Sequence, residues 1–104
     1  MSNTSSEPSR TKKINAAIQL LPIDTKEVRW DVVDKAISVI KQSGLNYKVC
    51  PFETVVEGTM KEVMNLIEKI KDNSLEKDCE EILINIKIHA AKRDLTFDEK
   101  LIKY

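Results

Sequence analysis

Apolar and polar residues alternate along this chain with two different periods, and the changes of period predict its elements. A period of two, typical of strands, covers Lys13–Pro22 and Glu81–Ala91. In the second of these segments one face carries isoleucine at four successive positions, Ile82, Ile84, Ile86 and Ile88. Two shorter strands are predicted over Leu45–Phe52 and Thr54–Glu57.

Between these strands, apolar residues recur at the spacing of a helix. The first helix follows the cap candidates Asp24-Thr25 and ends at Ser43-Gly44, where glycine suits a left-handed cap. The second helix covers Thr59–Lys71 and has one apolar stripe. A short terminal helix is predicted over Phe97–Tyr104.

The resulting order, β-α-β-β-α-β-α, predicts an α+β fold of the ferredoxin-like kind. Two βαβ halves of this length form an antiparallel sheet with both main helices on one face, and right-handed crossovers place the first and third strands in the centre. Residues 1–12 are predicted to be a disordered polar tail, and residues 13–104 a single domain.

The sheet face without helices is predicted to be mixed in character. It would carry Ala17, Gln19, Leu21, Leu83, Asn85, Lys87 and His89. An isolated monomer does not require such a surface, so we expect a subunit interface, a ligand site, or both.

Composition and charge argue against some classes of binding partner. The chain has 104 residues, with 17 basic and 17 acidic ones, and lacks the basic excess on which nucleic-acid binders depend. The longest apolar stretch is too short to cross a membrane and the N-terminus lacks a signal-peptide pattern, so a cytoplasmic location is expected. Cys50 and Cys79 are expected to be reduced thiols, without a metal site.

The segment Thr54–Gly58 carries the most specific chemistry. Glu57 is predicted to stand at the last strand position, with Gly58 turning the backbone sharply into the second helix. A carboxylate beside the free N–H groups of a helix start could hold a small polar ligand. The alternative is a strand-end carboxylate that serves structure alone.

Several segments occur together here in a recognisable order: Leu-Pro-Ile at the end of the first strand, Ser-Gly-Leu-Asn-Tyr, Pro-Phe-Glu-Thr-Val-Val-Glu-Gly, and Ile-Asn-Ile-Lys-Ile. With these segments the chain resembles the thiamine-binding family of small proteins, the UPF0045/DUF77-like domains of unknown function. The resemblance covers Lys13 to Tyr104 and implies a ferredoxin-like protomer that assembles into dimers and tetramers. It also implies binding of thiamine or its hydroxymethylpyrimidine portion near subunit contacts, with no catalytic residue.

The resemblance places Thr54, Glu57 and Gly58 on the family's Thr-x-x-Glu-Gly pattern. Gln19, Tyr47 and His89 complete the candidate ligand-binding residues, although each also has a structural explanation. One departure concerns the end of the last strand, where the family has an acidic residue and an arginine. This chain has His89-Ala90-Ala91-Lys92-Arg93 instead.

Three functions follow as hypotheses. The first is a non-enzymatic binding protein for thiamine or hydroxymethylpyrimidine, with no required cofactor; Glu57→Gln should then lower affinity and leave melting intact. The second is an oligomeric interaction module that uses the open sheet face and binds no small molecule. The third, an enzyme, relies on analogy of fold alone.

Overall fold

A computed structural model describes residues 12–23, 26–76 and 79–101 of the chain. Four strands and three helices follow one another as β1 (Lys13–Pro22), α1 (Lys26–Gln42), β2 (Asn46–Val49), β3 (Thr54–Thr59), α2 (Met60–Leu75), β4 (Ile82–His89) and α3 (Phe97–Leu101). The ferredoxin-like α+β order predicted from the sequence is confirmed. The predicted cap at Asp24-Thr25, the tail before Lys12 and the end of the terminal helix lie outside the described residues.

The strands form one antiparallel sheet in the order β2-β3-β1-β4, so the first and third strands are central as predicted. Alternation along the strands separates two faces. One face packs against α1 and α2, and we call the other the open face. Register places Ala17, Gln19, Leu21, Leu83, Asn85, Lys87 and His89 together on the open face, as the sequence predicts.

The hydrophobic core lies between the sheet and the two long helices. The apolar positions of β1 and β3 meet apolar stripes of α1 and α2, in a cluster of Ile14, Ala16, Ile18, Ala36, Ile40, Val56, Val63, Leu66, Ile67 and Ile70. At roughly 25 cal/mol for each Å² of apolar surface removed from water, this burial is the main favourable term in folding.

The end of α1 and the start of α2 are defined by local chemistry. Gly44 has a φ of 79° and ends the first helical segment in the left-handed conformation that glycine adopts without strain. At the start of α2, Thr59 Oγ1 accepts from the Glu62 amide, and Glu62 Oε1 accepts from the Thr59 amide at 2.9 Å. This capping box satisfies two backbone donors at the junction of β3 and α2.

After β4 the chain turns back over the open face. The residues Asp94–Phe97, called here the return segment, run beside the beginning of β1. The Leu95 amide donates to the Lys13 carbonyl at 3.0 Å, and the Lys13 amide donates to Asp94 Oδ1 at 2.7 Å. Leu95 is 1% exposed, so the return segment closes one end of the open face.

Candidate functional site

The open face is organised in rows that cross all four strands. The first row is polar and runs Asn46, Glu57, Asn15, His89 from β2 through β3 and β1 to β4. The second row runs Lys48, Val55, Ala17, Lys87 in the same order. Because the residues of a row face the same side of the sheet, each row presents its side chains together.

Glu57 lies in the polar row and is 9% exposed. Its Oε1 accepts from the backbone amide of Phe97 at 2.6 Å, and its Oε2 accepts from Asn46 Nδ2 at 3.3 Å. Phe97 is the first residue of α3, so the carboxylate does sit beside free N–H groups at a helix start. The helix concerned is α3, brought from 40 positions away, whereas the sequence pointed to the helix that directly follows.

The return segment covers the two central members of the polar row, Glu57 and Asn15. Asn15, 7% exposed, donates through Nδ2 to the carbonyl of Leu95 at 3.0 Å. Together with the Glu57–Phe97 bond, this contact fixes both ends of the return segment to the two central strands. Buried polar groups need such partners, and each is a contact that the sequence alone did not reveal.

A pocket of about 370 Å³ opens on this face beside the return segment. Ala17 and Val55 form a small apolar floor, and Phe97 stands at one side. The remaining walls come from β1, β2, β4 and the β2–β3 loop, with Asn15, Ala16, Lys48, Glu53, Lys87, Ile88 and His89. The volume lies in the range of small-molecule sites, and a flat ring could rest on the floor with polar groups at its edge.

Charged side chains stand at the rim of this pocket. Lys87 Nζ lies 3.5 Å from Glu53 Oε1, and the Lys87 side chain is 80% exposed. Glu53 lies in the loop directly before β3 and Lys87 lies on β4, so the pair spans the face of β1, which lies between these two strands. An exposed pair of this kind contributes little to stability and is free to exchange partners.

The candidate residues do not form one cluster. Glu57 and His89 lie in the polar row and Gln19 lies two positions beyond Ala17, all on the open face. Thr54 and Tyr47 are on the helix-facing side, where Thr54 is buried and Tyr47 packs on the core. A spacing of three residues in a strand places Thr54 and Glu57 on opposite faces, which strand alternation could have indicated.

Gly58 has a different role from the one predicted. It is buried inside β3, which continues to Thr59, and its φ is not positive, so it makes no sharp turn into α2. A Cβ at this position would lie 3.1 Å from Leu45 Cδ2 and 3.2 Å from Glu62 Oε1. Glycine is therefore needed for close packing, and the predicted turn is wrong.

Gln19 belongs to another part of the open face. Its Oε1 accepts from Asn85 Nδ2 at 3.2 Å across the strand pair. It also lines a second pocket of about 410 Å³ that includes Thr54 and the β2–β3 loop and is otherwise largely apolar. Two of the six candidates thus line this second pocket, and His89 lines the first.

After β4 the sequence differs from the family pattern, and the structure shows a local role for one residue there, Arg93. Arg93, which directly precedes the return segment, directs Nε and Nη2 to Glu99 Oε1 on α3, each at 3.1 Å. His89 faces Asn15 across the strand pair. Sequence reasoning missed Asn15, Asn46 and Phe97, because their importance depends on the path of the return segment.

Three further observations concern metal ligands, cysteines and membrane spans. Within the described ranges, no three His, Cys, Asp or Glu side chains are grouped to hold a metal ion. Cys50 and Cys79 are free thiols, as predicted. No helix among the described residues is long and apolar enough to cross a membrane.

Comparison with known proteins agrees with the ferredoxin-like fold. Residues 16–104 match the family described as thiamine-binding protein, and the chain belongs to that family. A UPF0045 protein of Clostridium perfringens is 31% identical over 90 residues, which are 86% of this chain and 95% of the relative.

Solved structures show the same fold. A domain of unknown function, DUF77, from Bacillus cereus superposes with a TM-score of 0.84 at 30% identity, covering 92% of this chain and 93% of the other. A Thermotoga maritima protein assigned provisionally to thiamine biosynthesis or salvage gives a TM-score of 0.81 at 26% identity, covering 88% and 98%. The family description names binding of thiamine and no reaction.

Proposed function

We propose that this protein is a non-enzymatic binding protein for thiamine or its hydroxymethylpyrimidine portion, and that the ligand occupies the open-face pocket. The observation that carries the proposal is the floor of Ala17 and Val55, which lies beside the polar row and between the two lysines at the ends of its own row. An aminopyrimidine is flat and apolar on its faces but polar at its edge, and this floor and rim have the matching pattern.

Phe97 suits contact with the apolar ring of the pyrimidine, and His89 suits hydrogen bonding to its polar edge. Phe97 is half-buried at one wall, where its ring can contact the pyrimidine edge-on or offset. His89 is exposed at the same pocket, and a neutral imidazole offers one donor and one acceptor. The family's description as thiamine-binding and the thiamine role assigned to the Thermotoga relative both support this choice of ligand.

The proposal assigns Glu57 an indirect role. Its carboxylate already accepts from Phe97 and Asn46, and it positions the return segment that carries the Phe97 wall. Glu57 therefore shapes the site without contacting the ligand. The residues of the Thr-x-x-Glu-Gly pattern contribute to the packing of β3 as well as to the ligand site.

Titration of thiamine and hydroxymethylpyrimidine into the labelled protein, followed by backbone amide NMR shifts, tests the proposal. Saturable shifts should centre on Ala17, Val55, Lys87 and Phe97. Shifts centred on the β2–β3 loop and α1 would move the site to the second pocket. Absence of shifts at millimolar concentrations of both compounds would contradict the proposed function.

Self-association of the open face is a second candidate function, and one pair of residues favours it. Leu21 and Leu83 are directly opposite each other on β1 and β4 and are 40% and 50% exposed. They lie at the end of the open face away from the return segment, so a second copy of the chain could cover them beside the pocket. Paired apolar side chains left in water favour such an interface.

Sedimentation of Leu83→Asp tests this assembly, with Leu75→Asp as the matched control because Leu75 is also exposed, at 41%, but lies on α2. Leu83→Asp should lower the mass of the particle and Leu75→Asp should not. A monomeric native protein at micromolar concentration would contradict the assembly while leaving the ligand proposal standing.

A further inference from the structure

The second row of the open face has a charge pattern that bears on the chemical form of the ligand. Its outer members, Lys48 on β2 and Lys87 on β4, stand on the two edge strands, and the small residues Val55 and Ala17 lie between them. Neighbouring strands are about 4.8 Å apart, so the outer Cα atoms of the row are separated by roughly 14 Å. All four residues line the open-face pocket.

The charges at this pocket do not cancel. Glu53 is the one acidic side chain in the lining, and it pairs with Lys87. Lys48 is exposed, and among the described residues its ammonium group forms no ion pair within 4.0 Å. Glu57 is close by but is absent from the pocket lining, because its carboxylate is turned to Phe97 and Asn46. The pocket therefore has an excess of positive charge.

This excess disfavours a cationic ligand and favours an anionic one. The thiazolium ring of thiamine carries a positive charge, which two lysines would repel. A phosphate ester on the same compound supplies negative charge and acceptor oxygens, and lysine is a common point-charge partner of phosphate. The exposed pair of Lys87 and Glu53 can open at small cost to release Lys87 toward that group.

We propose that the pocket selects phosphate esters of its ligand, with Lys48 and Lys87 as the residues that determine this specificity. This inference rests on the proposed function. The group recognised would be a phosphate monoester on a compound that contains an aminopyrimidine. That compound is either hydroxymethylpyrimidine phosphate or thiamine phosphate. The wide spacing of the lysines allows one of them to reach the phosphate while the ring remains on the floor.

Isothermal titration with four compounds tests the proposal: thiamine, thiamine monophosphate, hydroxymethylpyrimidine and hydroxymethylpyrimidine phosphate. Each phosphorylated form should bind about tenfold more tightly than its parent, as expected for one or two charge-assisted contacts. The advantage should shrink as salt rises from 50 to 500 mM, since exposed charges are screened. The pair with the larger ratio identifies the source of the phosphate.

Substitution of the two lysines completes the test. Lys48→Gln and Lys87→Gln should each reduce the phosphate advantage several-fold and raise the affinity for thiamine itself, because each substitution removes a positive charge that repels the thiazolium ring. Lys35→Gln, an exposed lysine on α1, is the matched control and should change neither.

The two proposals fail in different ways. Equal or weaker binding of the phosphorylated forms overturns the phosphate inference and leaves the binding function intact. Failure of all four compounds to bind overturns both. A phosphate advantage that persists unchanged in the Lys48→Gln and Lys87→Gln variants overturns the assignment of the lysines.

Discussion

The Glu57 carboxylate accepts a hydrogen bond of 2.6 Å from the backbone amide of Phe97, 40 positions later in the chain. This bond joins a central strand to the first residue of the C-terminal helix. It also explains how a buried carboxylate can be tolerated, because Asn46 supplies a second donor and the helix start favours negative charge. The most specific sequence motif thus helps to shape the site through the return segment.

Glu57→Gln should lower the free energy of unfolding by about 1–2 kcal/mol, because a charge-assisted bond to the Phe97 amide becomes a neutral one. The structure therefore gives a different expectation from the one based on sequence, in which melting stays intact. Urea unfolding measures the loss, and faster hydrogen exchange at the Phe97 amide locates it. Glu68→Gln, on the exposed side of α2, is the control; equal stability of the two variants would contradict the structural role of Glu57.

Leu95→Ala should destabilise the protein by about 2–4 kcal/mol, since a side chain with 1% exposure leaves a cavity over β1 when it is truncated. Leu83→Ala, at 50% exposure, should cost well under ~1 kcal/mol and serves as the matched control. Denaturant unfolding of both variants measures the difference. A small effect at Leu95 would mean that the return segment does not pack on the open face in solution.

Gly58→Ala should destabilise by about 1–2 kcal/mol, because the new methyl group crowds Leu45 and displaces the Glu62 carboxylate that closes the capping box. In a Glu62→Ala background the cost should fall, since one of the two crowding atoms and the box are already gone. A double-mutant cycle by urea unfolding measures this coupling. Additive effects of Gly58→Ala and Glu62→Ala would contradict it.

Gly44→Ala tests the backbone conformation at the end of α1, where packing plays no part. No atom lies within 4 Å of the added methyl group, but φ is 79°, so about 1 kcal/mol of backbone strain is expected. Gly44→Asn should recover part of the loss, because asparagine tolerates this conformation better than alanine. If Gly44→Ala is as stable as the native protein, the left-handed cap is not formed in solution.

The alternation of apolar and polar residues along the strands was sufficient to predict most of the fold. The isoleucines of β4 and the alternating positions of β1 determine which residues share the open face, and their register confirms it. Element ends were less well predicted: β2 is only Asn46–Val49, and β3 continues through Gly58 to Thr59, because the capping box rather than glycine begins α2.

The site was harder to predict because it depends on contacts between distant residues. Nothing local indicates that Asn15 donates to Leu95 or that Phe97 meets Glu57, since 80 and 40 positions separate these partners. Thr54 was included because it matches the Thr-x-x-Glu-Gly pattern and Tyr47 because of its residue type, but their strand positions direct both to the core side.

Ligand binding by Ala17→Leu is the measurement that tests the central claim most directly. Ala17 lies half-buried at the centre of the pocket floor, and a leucine there would fill the space proposed for the pyrimidine ring. Ala90→Leu adds the same atoms at an exposed position just beyond β4 and is the matched control. Isothermal titration of hydroxymethylpyrimidine and thiamine should show affinity reduced at least tenfold in Ala17→Leu, with native affinity in Ala90→Leu and both variants folded by circular dichroism. Native affinity in a folded Ala17→Leu protein would contradict binding on the open face.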